Sequence, residues 1–322
     1  MRRAAGVVAV TLAAGLGLVG CGSGSGAQAG AGSVVRTEDA PQGTTATLIA
    51  PSGTARVTVG KPVQTITKDH ASDLKQHRAP DGGAFVPVTW AWTFNSGFPL
   101  TNVGVTDHPT SISLIAGGKS YHLDTIGSSF GNALPEYVAV PTTKDLKVGL
   151  TYDGLTQTFD VATGKRDAGV AEALYNPQPQ TVDCSQGWKT SIAIKAPMDC
   201  KLQVATVPWA GSWASSGHEY VVVDADIRPY PLEIHQGSHY ARYDVRTVTD
   251  ASTVDGVGAR QPFQQDSSAP YAMTGTSVFD VPTGAHTLDL ELDYALQKGG
   301  QTGPGTYPLS PKVTFSRSVP LS

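Results

Sequence analysis

The sequence predicts an all-β protein made of two antiparallel β-sandwich domains in tandem. Glycine and proline are abundant, with 36 and 22 residues, whereas only 16% of the residues are charged. This composition favours strands and turns over long helices. Several short stretches alternate strictly between apolar and polar residues, which is typical of half-buried strands. The order of these stretches repeats once along the chain, so we expect a duplicated domain.

The first twenty residues have the layout of an export signal. A pair of arginines precedes an uncharged run that starts at Ala4 and is too short and too rich in glycine to span a membrane comfortably. The run ends at Leu18-Val19-Gly20-Cys21, which resembles the bacterial lipobox, where the cysteine receives a lipid and becomes the new amino terminus. We therefore expect residues 1–20 to be a signal peptide and Cys21 to anchor the protein to the extracytoplasmic face of the cell membrane.

A second cleavage pattern follows the lipobox. Ala27-Gln28-Ala29 has the A-x-A form that an ordinary signal peptidase cuts, and that cut would release a free secreted protein. The pattern lies beyond Gly22-Ser23-Gly24-Ser25-Gly26, farther from the apolar run than such sites usually are. These glycines and serines predict that residues 21–43 form a flexible linker, which lets the folded domains move clear of the bilayer.

Charge and motifs argue against several classes of function. The net charge is −4 and no basic run follows the signal, so no nucleic-acid partner is expected. The mature chain lacks the motifs of phosphate-binding loops, serine hydrolases, zinc proteases and dinucleotide-binding folds. His235 and His239 have a metal-ligand spacing, but Gly237 and Ser238 between them favour a loop. We therefore expect no catalytic residue, no cofactor and no metal.

Two cysteines remain if Cys21 carries a lipid. Cys184 and Cys200 would then be a pair in an exported protein, where disulfides form and persist, and we predict that they are bridged. Two free thiols are the alternative. A zinc site would lack ligands, because the intervening segment contains no histidine and only one carboxylate, Asp199.

The duplication rests on three anchors that recur in the same order. An alternating strand is followed by an aromatic-Pro-Leu motif, and later a Val-Pro-Thr motif precedes a strand that ends in tyrosine. In the first copy these anchors are residues 85–94, Phe98-Pro99-Leu100 and Val140-Pro141-Thr142, and in the second they are residues 220–228, Tyr230-Pro231-Leu232 and Val281-Pro282-Thr283.

About seven short alternating strands per copy predict a sandwich of immunoglobulin type, with a closed barrel as the alternative. The first domain is expected over residues 44–166 and the second over residues 181–322, joined by a linker at 167–180 that contains a short helix at 167–175 and ends in Asn176-Pro177-Gln178-Pro179. Predicted strands cover 55–67, 85–94, 111–116, 137–140, 146–152 and 156–161 in the first copy, and 190–194, 202–207, 218–227, 241–249, 276–281, 287–294 and 312–318 in the second.

A family resemblance emerges from these features together. The lipobox, the Gly/Ser linker, the strand over residues 220–227 and the Val278-Phe279-Asp280-Val281-Pro282 segment before a Leu-x-Leu-x-Leu-x-Tyr strand are similar to immunoglobulin-like surface lipoproteins of Gram-positive, actinobacterial species. That family is related in fold to a secreted mycobacterial immunoprotective antigen. The resemblance implies an extracellular β-sandwich without established catalytic residues. It covers the second copy best, since the first has Tyr137-Val138-Ala139-Val140-Pro141 at the corresponding place.

The loop before the main strand differs between the copies. In the first copy, residues 68–83 carry several acidic, basic and histidine side chains, whereas in the second, residues 208–217 carry Trp209 and Trp213. Binding residues tend to lie on loops held by a rigid sandwich, and aromatic side chains give large contact area at little entropic cost. Trp209 and Trp213 are therefore candidate ligand-binding residues. The alternative is that both tryptophans close the end of the core.

These features predict a non-catalytic cell-envelope lipoprotein that binds an envelope protein or a cell-wall polymer. One alternative is an enzyme, or an accessory factor, acting on wall glycan or peptide, with the carboxylates and histidines of residues 68–83 as candidates. Another alternative is a structural spacer or surface antigen.

Overall fold

The computed structural model describes residues 27–99, 108–126, 133–284 and 286–321. The predicted signal peptide and the predicted lipid site Cys21 lie outside the described residues. Within the described part nearly all regular structure is β-strand, and the one helix is a 3-10 helix at Gly169–Tyr175, the linker helix. The all-β prediction is therefore confirmed.

The first sandwich consists of two five-stranded antiparallel sheets. Its strands are β1 (Ala27–Gln28), β2 (Val34–Arg36), β3 (Gly43–Ala50), β4 (Gly53–Gly60), β5 (Thr65–Ile66), β6 (His77–Arg78), β7 (Ala84–Phe94), β8 (Thr110–Ala116), β9 (Lys119–Ile126), β10 (Glu136–Val140), β11 (Lys147–Tyr152), β12 (Leu155–Asp160) and β13 (Arg166–Asp167). One sheet has the order β2-β10-β7-β4-β3 and the other β13-β12-β11-β8-β9, and a small sheet of order β1-β6-β5 lies beside them.

The alternation predicted for residues 85–94 places β7 at the centre of its sheet. The even-numbered side chains from Val86 to Trp92 are buried in the main core between the two sheets. Phe85 faces the other way and packs with Val35 and Ile66 in a smaller cluster next to the small sheet. Both faces of β7 are thus covered where the strand begins.

The second sandwich is also a pair of antiparallel sheets. Its strands are β14 (Gln180–Asp183), β15 (Lys189–Thr190), β16 (Met198–Val207), β17 (His218–Pro229), β18 (Glu233–Gln236), β19 (His239–Asp250), β20 (Thr253–Val254), β21 (Val257–Gly258), β22 (Gln264–Gln265), β23 (Met273–Pro282), β24 (His286–Gln301) and β25 (Lys312–Leu321). One sheet has the order β14-β16-β17-β23-β22 and the other β15-β25-β24-β19-β18, with the β20–β21 hairpin added to β24.

Cys184 and Cys200 form a disulfide in the core of the second sandwich, so this prediction is confirmed. Both residues are 0% exposed, and their Cα atoms are 4.8 Å apart. The Cys184 amide also donates a hydrogen bond to the Cys200 carbonyl, which continues the pairing of β14 with β16. Closing a loop of this length contributes about 3 kcal/mol, chiefly by restricting the unfolded chain.

The predicted flexible linker over residues 21–43 is too long at its C-terminal end. Val34–Arg36 forms β2 and pairs with β10 at the edge of the first sandwich. Val35 is only 8% exposed because its side chain packs in the cluster around Phe85. The ordered domain therefore begins before residue 44.

The first hairpin of the sandwich differs from the predicted strands. β3 has no predicted counterpart, since its buried side chains are Ala46, Leu48 and Ala50, and alanines separated by threonines give a weak alternation signal. The strand predicted over 55–67 ends at Gly60. Thr65–Ile66 belongs instead to the small sheet.

The two copies are alike around their central strands. β7 lies between β4 and β10, and β17 lies between β16 and β23. The aromatic-proline bond after each central strand is cis in both copies, at Phe98-Pro99 and at Tyr230-Pro231.

A buried histidine joins three elements of the second sandwich. The His286 side chain is 5% exposed, with Nδ1 2.6 Å from Asp255 Oδ2 and Nε2 2.8 Å from Glu219 Oε1. Ionised carboxylates only accept hydrogen bonds, so both imidazole nitrogens carry protons. Burial by itself lowers the pKa of His286, but the bonds to Asp255 and Glu219 outweigh it and raise this pKa above its ordinary value. The imidazolium thus clamps β17 and the β20–β21 turn to the start of β24.

The histidine clamp makes stability depend on pH. Because the pKa of His286 is raised on folding, its stabilising contribution is full below the unfolded pKa of about 6.5 and is lost as pH rises through the folded pKa. The free energy of unfolding, measured with urea across neutral pH, should fall over this window. His286→Gln should remove most of that dependence.

His122→Gln is the matched control, because His122 is exposed and its nitrogens face the hydroxyls of Ser111 and Thr125. This variant should keep the pH dependence of the original protein. An unchanged pH dependence in His286→Gln would show that the clamp does not bind a proton on folding.

Candidate functional site

Two tryptophans of the second sandwich reach into the first. The Trp209 side chain is 0% exposed and packs in the main core of the first sandwich, where its indole N–H donates to Asp153 Oδ2 at 3.0 Å. The Trp213 indole N–H donates to the Tyr152 carbonyl at 3.1 Å. Both rings lie edge-on to the Tyr152 ring, with centroids 5.6 and 6.3 Å away. Trp209 and Trp213 together form what we term the tryptophan hook.

The hook corrects the expectation that these tryptophans offer a surface to a ligand. Trp209 has no exposed surface, Trp213 is half-buried, and both indole N–H groups are occupied within the protein. The geometry matches the alternative that the tryptophans close the end of a core. However, the core that Trp209 closes is that of the first sandwich, whereas Trp209 itself belongs to the second.

The tryptophan hook contacts a tight turn of the first sandwich. Asp153 and Gly154 join β11 to β12 as a two-residue hairpin turn, and both have positive φ, of 46° and 77°. Asp-Gly is a preferred pair for such a turn because each position needs a left-handed backbone. The turn fixes the Asp153 carboxylate opposite the Trp209 indole. His108 lies 3.5 Å from the same carboxylate and edge-on to the Trp209 ring.

Tyr175 hydrogen-bonds the linker helix to the first sandwich, in addition to the Arg166–Glu172 ion pair. The Tyr175 hydroxyl accepts a hydrogen bond from the Ile49 amide at 3.0 Å and donates to the Gln157 side chain. Gln157, 1% exposed, in turn donates to the Ile49 carbonyl at 2.6 Å. Burial raises the pKa of Tyr175, so the hydroxyl stays protonated and able to donate. Leu174 of the same helix is buried in a cluster with Trp213.

A third contact runs in the opposite direction, from the first sandwich to the second. Phe98, in the loop after β7, packs with Val207, Tyr220 and Val222. These residues lie at the end of β16 and on the outer face of β17. The hook, the linker helix and Phe98 therefore hold the two sandwiches at one junction.

The junction encloses a cleft of about 280 Å³. Its walls come from the β3–β4 hairpin, the loop after β7, the linker helix and the end of β16. Most of the side chains that line this junction cleft are apolar, and they include Ile49, Phe98, Pro99, Leu174, Pro177 and Val207. Ser96 and Gly97 are exposed at its rim.

Polar groups in the junction cleft are engaged with the protein itself. The Asn95 amide donates to the Ala50 and Pro51 carbonyls at 2.9 and 3.2 Å, and its oxygen accepts from the Thr54 hydroxyl. The Tyr175 hydroxyl is bound as described above. The cleft is therefore suited to bind an apolar group by burial and shape, with little hydrogen bonding.

Three of the histidines with candidate chemistry each pair with a carboxylate, whereas His239 begins β19 with its ring against Gly303. His70 contacts Asp39, and His77 Nε2 lies 3.0 Å from Asp73. The hydrogen bond from His77 is the main cause of a lowered pKa for Asp73. His235 pairs with Glu233. Across the described ranges, no group of three or more His, Cys, Asp or Glu side chains is arranged to hold a metal ion.

Comparison of the sequence with protein-family models and with curated proteins found no match. Among the residues that the structure describes, no helix is long and apolar enough to cross a membrane.

Sequence reasoning missed several residues of the junction. Phe98 could have been predicted as a contact residue, since it is a large aromatic residue in a loop and an aromatic residue, Tyr230, recurs at the same place in the second copy. The Asp153-Gly154 pair marks a hairpin turn but gives no hint of an indole partner. Tyr175 and Gln157 are ordinary residues in their local patterns, and only the fold brings them together.

The hook should couple the stability of the two sandwiches. Trp209→Ala removes a fully buried ring from the first core and leaves Asp153 without its donor, so it should cost about 3–5 kcal/mol of the first sandwich's stability. Calorimetric unfolding should then show an earlier transition for the first sandwich. Reducing the Cys184–Cys200 disulfide should lower the unfolding temperature of the second sandwich and so identify its transition.

Trp188→Ala is the matched control, because Trp188 packs against the core of the second sandwich. It should lower the second transition, and because it removes no ring from the first core, the first transition should fall less than in Trp209→Ala. If Trp209→Ala left the first transition unchanged, the indole would not be a member of that core.

Proposed function

We propose that the protein is a non-catalytic binding protein of the cell envelope, anchored by lipid at Cys21, and that the junction cleft is its binding site. The observation that carries this proposal is the position of the cleft, an apolar cavity where two sandwiches meet. Ligand sites occur preferentially at such domain interfaces. The hook and the linker helix hold the walls in place, which lowers the entropic cost of binding.

The cleft suits an apolar side chain presented by a protein. Its volume of about 280 Å³ is close to the lower end of the range of roughly 300–1,000 Å³ typical of small-molecule sites, so it suits one apolar group of modest size. Large apolar side chains that fill desolvated pockets supply much of the affinity in protein interfaces. The exposed rim at Ser96 and Gly97 leaves room for the backbone that carries such a side chain.

The path of the chain supports an immunoglobulin-like classification for both sandwiches. After β7 the chain crosses to the other sheet, returns with β10 beside β7, and crosses again to β11, which pairs with β8. The second copy repeats this path with β17, β23, β24 and β19. Immunoglobulin sandwiches use this connectivity, and it accords with the resemblance to actinobacterial surface lipoproteins.

One structural feature favours the lipid anchor over ordinary secretion. Ala27–Gln28 pairs with His77–Arg78 in the small sheet of the first sandwich. Cleavage after Ala29 would remove this strand, whereas cleavage before Cys21 would retain it. The membrane partner proposed here is thus compatible with the fold of the mature chain.

The anchor predicts a defined mass and location. Protein extracted from membranes should begin at Cys21 and carry a diacylglyceryl group with or without a further acyl chain, as measured by intact mass spectrometry. Cys21→Ser should abolish this addition and deplete the protein from the membrane fraction, because each buried acyl methylene contributes about 0.8 kcal/mol of membrane affinity. An unmodified mature chain beginning at Gly30 would contradict the anchor.

Filling the cleft should abolish capture of the partner. A photo-crosslinking residue at Ser96, introduced into the full-length protein on intact cells, should give an adduct with a protein that mass spectrometry identifies. Ala173→Trp places an indole in the cleft from the linker helix and should remove the adduct. It should also weaken binding of the purified partner by about tenfold or more.

Val170→Trp is the matched control, because Val170 belongs to the same helix, is 44% exposed and does not line the cleft. Its binding should equal that of the original protein. Equal capture by Ala173→Trp would remove the cleft as the binding site.

A further inference from the structure

Aromatic side chains gather at the end of the second sandwich away from the hook. Tyr230, directly after β17, is 61% exposed and stacks on Tyr271, with ring centroids 5.0 Å apart and planes at 30°. On the β18–β19 hairpin, His235 stacks on Tyr240 at 5.2 Å and 26°. The twelve residues of β17, at about 3.3 Å each, put this end roughly 40 Å from the hook.

Strand register places the hairpin residues on one face. Glu233 is opposite Arg242 and His235 is opposite Tyr240 across the antiparallel pair, so all four side chains point to the same side. Arg242 Nε donates to Glu233 Oε1 at 2.9 Å, and its guanidinium carbon lies 5.6 Å from the centre of the Tyr240 ring. β18 begins three residues after Tyr230 in the chain, which places the hairpin next to the Tyr230–Tyr271 pair.

Glu233 and the backbone of Tyr271 are held in place before any ligand arrives. The Glu233 side chain is 6% exposed and is bound by both Arg242 and His235. The Tyr271 carbonyl accepts a hydrogen bond from the buried Tyr294 hydroxyl at 3.0 Å. Preorganised side chains lose little entropy on binding.

Most charges near the surface are paired. Glu233 offsets Arg242, and at the end of β17, in the other sheet, Asp226 pairs with Arg228 at 2.6 Å. The exposed Lys195, opposite Glu233, adds one positive charge. A polyanion would require a larger excess of positive charge. An uncharged ligand that presents both apolar C–H faces and hydroxyl groups fits better, because the C–H faces can lie on the electron-rich tyrosine rings and the hydroxyls can bond to the exposed guanidinium of Arg242.

The surface is open beside these side chains. Gly300 lies opposite Arg242 on β24, and the space where its side chain would be is empty. An open surface next to aromatic rings suits a polymer that extends past the site, whereas a compact ligand would favour a closed cavity.

We propose that Tyr230, Tyr271, Tyr240 and Arg242, with Glu233 and His235, form a binding surface for uncharged pyranose polymers such as the N-acetylated glycan strands of a cell wall. This tyrosine face is separate from the junction cleft, and the proposal does not depend on the protein partner argued for the cleft.

The test uses soluble chitohexaose and cellohexaose as probes and the purified protein, with affinity measured by isothermal titration calorimetry. The original protein should bind at least one probe, with little change in affinity between low and high salt, because the ligand carries no charge. Tyr230→Ala should weaken binding by about tenfold, whereas Tyr230→Phe should retain it, since the ring supplies the contact. Arg242→Gln should also weaken binding.

Leu134→Ala is the control, because Leu134 is 68% exposed on the first sandwich. It should bind as the original protein does, and so should Ala173→Trp in the cleft. Failure of both probes to bind, equal affinity of Tyr230→Ala, or loss of binding in Ala173→Trp would each overturn the tyrosine face. The last result would move the glycan to the cleft, while a protein partner captured there would leave this inference undisturbed.

Discussion

Trp209 belongs to the second sandwich by sequence but packs in the core of the first. This packing fixes the position of the two sandwiches relative to each other. An indole with no exposed surface can leave the first core only by opening a cavity there and exposing its partner Asp153. Such a loss amounts to several kcal/mol, a large part of the net stability of a domain. The two sandwiches therefore share part of one core, in contrast to domains joined only by a flexible linker.

The junction cleft owes its shape to this shared core. Val207, which forms one wall, ends β16 two residues before Trp209, so the position of the hook sets the position of that wall. Phe98 comes from the first sandwich and packs on Val207 and β17, while the linker helix is tied to β3 through Tyr175. Each wall is fixed by a contact that crosses between elements, which explains how an apolar cavity persists at a junction that could otherwise collapse.

The sequence predicts those structural features that depend on residues close together in the chain. Alternation located β7 and β17 because their buried faces carry large residues, and cysteine counting predicted the disulfide. β3 was missed because alanine and threonine give little contrast between its faces. For the tryptophans, sequence indicates that a large ring will be buried, but it does not say in which core. The Trp209–Asp153 contact joins residues from the two copies, so no periodicity within one copy could reveal it.

β17 links the two binding surfaces proposed for this protein. Its first residues lie beside the hook, where Tyr220 and Val222 receive Phe98, and Tyr230 follows directly at its other end. As the central strand of its sheet, paired along its length with β16 and β23, it cannot bend without breaking two ladders of hydrogen bonds. The cleft and the tyrosine face therefore keep a constant separation. A glycan bound at one end and a protein bound at the other would be held at a fixed distance from each other.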